Sequence, residues 1–282
     1  IALLRVLQDD FRFVFEKDKV RENLLKYCTG KKIGHFEIKA IRDDMDLSLI
    51  LRCQPTLPNG RIPDFDLAIT DNASQLHTTS SIVLDAKSCE FVRRPQDAPR
   101  NIFRYIDDCL HELIIEKDYA QGGNDVFVMH PTKAPCISST TMQSWAKASS
   151  YGGDSVFFWE KEAPAHRHGA VLVSPEDLSN LKRLILMVIQ YRLGRNDICA
   201  SCGAGGADIK EEPGKGFGSH YRCTKCSFLS VSSHCFNCKK PIVKNAAWWS
   251  YHDLHPTEIW NIKCPACGSL LVGKQQVDGR SQ

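Results

Sequence analysis

The chain has 282 residues, 43% of them hydrophobic and 24% charged, so it reads as a soluble, globular chain of about one to three domains. Its longest apolar run, "LILMVI" near 185–190, is too short to cross a bilayer. The N-terminus "IALLRVLQDDFRF" has neither the apolar core of a signal peptide nor a starting Met, which fits a fragment of a longer chain. Net charge is only +3, but it is uneven: residues 199–282 carry ten Lys/Arg against six Asp/Glu.

In chain order, residues 18–28 read as the end of a helix that runs from the first residues. Residues 46–55 read as a strand, and Asn59-Gly60 supplies a turn. Two strands follow at 61–70 and 81–87, joined by polar residues. Residues 98–119 carry apolar positions at helical spacing. The apolar runs 124–130 and 168–175 are strands of the buried type. Ser174, Pro175 and the acids after them open a helix over 175–193. The long polar segment 131–167 holds one more strand at 155–160. The order is α-β-β-β-α-β with a further strand and helix: a mixed α/β domain over 1–195, a boundary at "GRND" (194–197), and a second domain over 196–282.

Acids inside strand-like segments are costly without a partner. Asp64 and Asp66 share one face of their strand, and Asp85 and Lys87 share one face of theirs. If the two strands form an antiparallel hairpin with Asp64 opposite Asp85, the turn centres between residues 74 and 75, inside "DNASQLHT". That register gathers two carboxylates and an ammonium at one sheet edge. A hard divalent cation such as Mg²⁺ would offset the repulsion between the acids. Lys87 would position water or stabilise charge building on a phosphate. The bland alternative is a pair of surface acids beside an ordinary hairpin, with Lys87 as an ion-pair partner. Asp66 is either a further ligand or a satisfied polar neighbour.

Pro63-Asp64 followed by Asp85-Ala86-Lys87, set between helices, resembles the PD-(D/E)xK nuclease superfamily. Over roughly residues 15–193, "RIPDFDLAI…IVLDAK" and "GAVLVSPEDLSNLKRLI" are most similar to the nuclease subunits of McrBC-type restriction systems. The resemblance implies a restriction-endonuclease-like mixed sheet flanked by helices. It implies an endonuclease that hydrolyses DNA phosphodiesters with Mg²⁺ or Mn²⁺, in restriction or antiviral defence, beside a separate NTPase subunit. It makes Asp64, Asp85 and the carbonyl of Ala86 metal ligands and Lys87 the catalytic lysine. It also puts Glu22 of the first helix beside the metal, and Arg104 or Tyr105 near the phosphate. A different class of function remains open: a non-catalytic nucleic-acid-binding or scaffold module that keeps the fold.

Of the thirteen Cys, eight form four CxxC pairs: Cys199/Cys202, Cys223/Cys226, Cys235/Cys238 and Cys264/Cys267. Paired CxxC in a chain without a secretory signal points to metal ligation in a reducing compartment, which places the chain in the cytoplasm. Four thiolates suit Zn²⁺. Sequential pairing gives a double zinc-ribbon domain with two zinc ions, and crossed pairing needs interleaved strands. Three roles stay open for the ribbons: a folding staple, a protein-docking surface, or nucleic-acid contact. The last rests on Lys239, Lys240 and Lys244 interleaved with Trp248, Trp249 and Tyr251. The scattered Cys read as core filler, and "GAGG" (203–206) reads as a turn.

Overall fold

A computed structural model describes residues 1–29, 35–87, 108–130, 156–158, 168–173, 178–213, 219–234, 237, 239 and 241–245. An N-terminal helix α1 (Ala2–Arg5) widens into a π-helical turn over Val6–Asp10. Arg12 then adopts φ 57°, so the chain leaves the helix and enters a short strand β1 (Val14–Phe15). The expected continuous first helix is therefore two helices, the second being α2 (Lys17–Cys28).

Strands β2 (Phe36–Arg42), β3 (Leu47–Cys53), β4 (Phe65–Asp71) and β5 (Thr79–Ala86) form an antiparallel meander. A π-helical turn α3 (Glu112–Glu116) leads to β6 (Asp125–His130), which lies parallel to β5. Two further strands, β7 (Val156–Phe158) and β8 (His168–Leu172), complete an eight-stranded sheet in the order β1-β2-β3-β4-β5-β6-β8-β7. β8 is parallel to β6, and β7 pairs antiparallel with β8. Helix α4 (Ser179–Met187) runs on as a π-helical turn, Val188–Arg192. No helix among the described residues is long and apolar enough to cross a membrane.

Alternation along the strands decides which face each residue serves. Leu47, Leu49 and Leu51 of β3, Leu67 and Ile69 of β4, and Ile82 and Leu84 of β5 point to one face. There they pack against Leu7, Phe11 and Phe13 of the N-terminal segment and against Leu184, Ile185 and Val188 of α4. Val83, Val126 and Val128 point to the other face, under Cys109, Leu113 and Tyr119. Asp64, Asp85 and Lys87 fall on that second face by the same alternation.

The C-terminal strands β9 (Ile209–Pro213), β10 (Ser219–Cys223), β11 (Leu229–His234) and β12 (Pro241–Asn245) form a four-stranded antiparallel sheet. The expected double zinc-ribbon domain is corrected here. The described residues hold a single Cys₄ cluster, Cys199, Cys202, Cys223 and Cys226, and β11 and β12 extend the sheet of its second knuckle. Cys235, Cys238, Cys264 and Cys267 lie outside the described residues, as do Trp248, Trp249 and Tyr251.

The first knuckle is seated on the large sheet. Arg42, buried at the end of β2, donates from Nη2 to the Gly203 carbonyl at 2.7 Å and from Nη1 to the Phe11 carbonyl at 2.9 Å. Lys182 of α4 bridges the Asp10 carboxylate at 2.7 Å and the Ser201 carbonyl at 3.1 Å. Arg12 reaches the Cys202 carbonyl at 3.0 Å. Three cations thus occupy carbonyls of one turn. The approach is close enough that a Cβ on Gly203 would sit 1.9 Å from the Asp10 carbonyl oxygen.

Candidate active site

The β4–β5 pairing runs from Thr70 opposite Thr79 to Phe65 opposite Leu84. One residue further, Asp64 lies across from Asp85, in the register expected from the polar turn. The Ala86 amide donates to Asp64 Oδ2 at 2.7 Å and ties the two strand ends together. The Lys87 amide donates to the Met129 carbonyl at 2.9 Å, which fixes the exit of β5 beside β6. Lys87 Nζ lies 2.5 Å from Asp85 Oδ2 as an ion pair. Oδ2 is buried, and Lys87 is its charge partner. The cluster sits at the carboxyl ends of β5 and β6, where the antiparallel half of the sheet meets the parallel half.

The loop before β4 is held from the far side. Tyr119 Oη donates to the Ile62 carbonyl at 3.1 Å, and Asn59 Nδ2 donates to the Lys117 and Asp118 carbonyls at 2.9 and 3.0 Å. Asp64 therefore rests between a strand end and a loop that are both anchored. Glu112 of α3 pairs with Lys117 at 2.6 Å.

Charge at the cluster is tuned by burial. Burial lifts the Asp64 carboxyl above its usual range, and the charge of Asp85 adds to this; the Ala86 amide, Lys87 and Lys117 oppose it only in part. For Lys87 burial favours the neutral amine, but the Asp85 ion pair and the Glu112 charge outweigh it and hold the ammonium more firmly than usual. Burial also raises the Tyr119 phenol, helped by the charge of Asp85. Lys117 lowers the Glu112 carboxyl against its own burial. A carboxyl with a strengthened grip on its proton, next to a fixed ammonium, is the pairing that general acid–base chemistry uses.

The structure thus brings Asp64, Asp85, Ala86 and Lys87 together. Asp66 is claimed from elsewhere: its Oδ2 accepts from Arg52 Nη1 at 2.7 Å, across the β3–β4 pair. Glu22 lies on an exposed face of α2 and pairs with Lys26 at 2.5 Å. Arg104 and Tyr105 lie outside the described residues. Tyr119 and Glu112 escaped the sequence reading. Their only signal is position, just after a helical segment whose face packs on β5.

The expected magnesium site is corrected. Among the described residues, the group of ligand-type side chains that converges within 4.8 Å is the Cys₄ cluster, and the two acids are not part of such a group. Asp64 spends an oxygen on the Ala86 amide and Asp85 spends one on Lys87. The cluster that does converge joins the first two CxxC pairs. Cys199 Sγ lies 3.5 Å from Cys226 Sγ, and Cys202 Sγ lies 3.6 Å from Cys223 Sγ. Sulfur bonds of about 2.3 Å in a tetrahedron around Zn²⁺ put sulfurs ~3.8 Å apart, so the donor set fits one thiophilic divalent cation. Such an ion would cross-link the Cys199–Cys202 knuckle to the end of β10.

Fold and site together define a mixed α/β protein with an acid–ammonium cluster where the antiparallel and parallel halves of the sheet meet, and a Cys₄ group beside its N-terminal segment. In sequence the chain is similar to a pyrethroid hydrolase from Klebsiella sp., with 30% identity over 301 residues, covering 95% of this chain and 45% of the relative. The chain therefore spans less than half the length of that protein. No family model matches the chain, and no solved structure matches it.

That similarity overturns the nuclease resemblance. It runs through nearly the whole chain, including both strands that carry the Pro63-Asp64 and Asp85-Ala86-Lys87 motifs, and leads to a hydrolase of another kind. The PD-(D/E)xK and McrBC-type assignment goes with it, and so does the restriction-endonuclease-like label for the sheet. The DNA substrate, the role in defence, the NTPase partner and the non-catalytic nucleic-acid or scaffold alternative lose their basis too. PD and DxK are short enough to arise on adjacent strands without a shared ancestor, which is why the motif misled.

Proposed function

We propose that this chain carries the hydrolytic centre of an esterase, built on Asp64, Asp85 and Lys87, and that its substrates are hydrophobic carboxylic esters. A pyrethroid is such an ester, and the relative's name supports the bond class. The observation that carries the reading is Asp64: a half-buried carboxyl with a raised pKa, held by the Ala86 amide beside the Lys87 ammonium. Asp64 as carboxylate takes a proton from water as that water attacks the ester carbonyl carbon. The oxyanion forms next to Lys87, which stays protonated because Asp85 holds it. The intermediate collapses, and Asp64 returns the proton to the departing alkoxide. One water is consumed, and one acid and one alcohol leave. The paired CxxC knuckles of the Cys₄ group suit metal ligation in a reducing compartment, and we place the protein in the cytoplasm.

The test is hydrolysis of p-nitrophenyl butyrate and of a pyrethroid ester by the purified chain in ¹⁸O-labelled water. One labelled oxygen is expected in the acid product and none in the alcohol. Label in the alcohol, or no turnover of either ester, would overturn the reading.

A further inference from the structure

A groove of about 580 Å³ opens between the N-terminal segment and α2, away from the acid–ammonium cluster. We infer that it is a binding site for a small amphipathic organic anion, with an acidic head on a bulky apolar body. Its floor is apolar: Phe13, Val14, Phe15, Val20 and Leu25 line it. Val14 is 66% exposed and Leu25 is 55% exposed, so this floor faces open space. Its rim is cationic, with Arg12, Lys17 and Arg21, and no acid lines it.

Lys17 and Arg21 lie one turn apart on α2 and so present their charges on the same side. Neither is engaged by a hydrogen bond or ion pair among the described residues. Four of the neighbouring acids are drawn off by other cations, Asp9 by Arg5, Asp10 by Lys182, Glu16 by Lys19 and Glu22 by Lys26, and Asp18 is not among the residues that line the groove. Arg12 donates to the Cys202 carbonyl at 3.0 Å. An apolar floor under a cationic rim selects a ligand that is both greasy and negative. The volume lies within the range of small-molecule sites, about 300–1,000 Å³, which fits a compact ligand rather than a partner helix. This site does not rest on the esterase reading.

The experiment is isothermal titration of the full chain with decanoate, decanol and decyltrimethylammonium, which share a tail and differ in head charge. Decanoate is expected to bind at least about tenfold tighter than either of the others. That advantage is expected to shrink as salt rises. In the double variant Lys17→Glu/Arg21→Glu, at two exposed positions, decanoate affinity is expected to fall by at least about tenfold, with circular dichroism unchanged. Equal binding of the three ligands would reduce the groove to an apolar patch and overturn the proposal. So would no binding of decanoate, or full binding of it by the double variant.

Discussion

Asp64 shows how one side chain can be stabilised and strained by the same neighbours. The Ala86 amide favours its charged form, while burial and Asp85 oppose it and prevail. The folded state therefore holds this proton more tightly than the unfolded chain does. The stability that follows is fully present below the ordinary carboxylate pKa and is lost as pH rises through the raised one. Asn cannot ionise, and its carbonyl can still accept the Ala86 amide. The melting temperature of Asp64→Asn relative to the parent is thus expected to be higher at about pH 7 than at about pH 3.5. Thermal melts at the two pH values check this, and an identical difference at both would mean that Asp64 is not perturbed. Asp66, two residues along the same face, has its charge answered by Arg52. Sequence alternation placed both acids on one face and could not separate them; the cross-strand partner does.

At the level of elements, the register of the hairpin β4–β5 was legible, because polar turn-formers lie midway between Asp64 and Asp85, although β4 begins at Phe65 rather than at 61 and β5 at Thr79 rather than at 81. Strand β2 was not. "FEIKAIR" alternates, but its last inward position is Arg42, a residue that sequence patterning assigns to solvent. Only the fold shows that Arg42 has carbonyl partners in segments 31 and 161 residues away. "GAGG" likewise reads as a simple turn, yet Gly203 and Gly205 let the first knuckle lie against Asp10, Met45 and Arg42. This docking links the Cys₄ group to the N-terminal segment, and through Phe11 and Phe13 to the main core. If the Cys₄ group holds a cation, removing it would free the knuckle and loosen the carbonyls that Arg12, Arg42 and Lys182 hold. A strong chelator is therefore expected to lower the melting temperature of the main transition by several degrees, not only that of a separate C-terminal one. Calorimetry with and without chelator checks this, and an unshifted main transition would show that the knuckle is passive.

For the whole molecule, the sheet does two jobs with its two faces. One is covered by the N-terminal segment and α4 and carries the larger core. The other carries the smaller core, and at the strand ends beside it gathers Asp64, Asp85 and Lys87 near Tyr119. The sequence reading set Asp64 across from Asp85 beside Lys87, in the register the structure shows, but attached the cluster to nuclease chemistry; carboxylates and a lysine at strand ends suit a metal-bound phosphate and a metal-free ester alike. Composition cannot choose between them; the similarity to a hydrolase across 95% of the chain is what speaks against the nuclease.

The most direct measurement is the initial rate of p-nitrophenyl butyrate hydrolysis against pH for the parent chain, Asp64→Asn, Lys87→Ala and Asp66→Asn, each checked for folding by thermal melt. In the parent, the rate is expected to rise through an ionisation above the ordinary aspartate value, as Asp64 becomes the base. Asp64→Asn is expected to lose that ionisation and about 100-fold or more in rate, and Lys87→Ala to lose about 100-fold through the oxyanion. Asp66→Asn is expected to stay within about threefold of the parent, because its carboxylate serves Arg52. Folded Asp64→Asn and Lys87→Ala proteins that hydrolyse the ester at the parent rate, with the ionisation unchanged, would contradict the assignment of the centre.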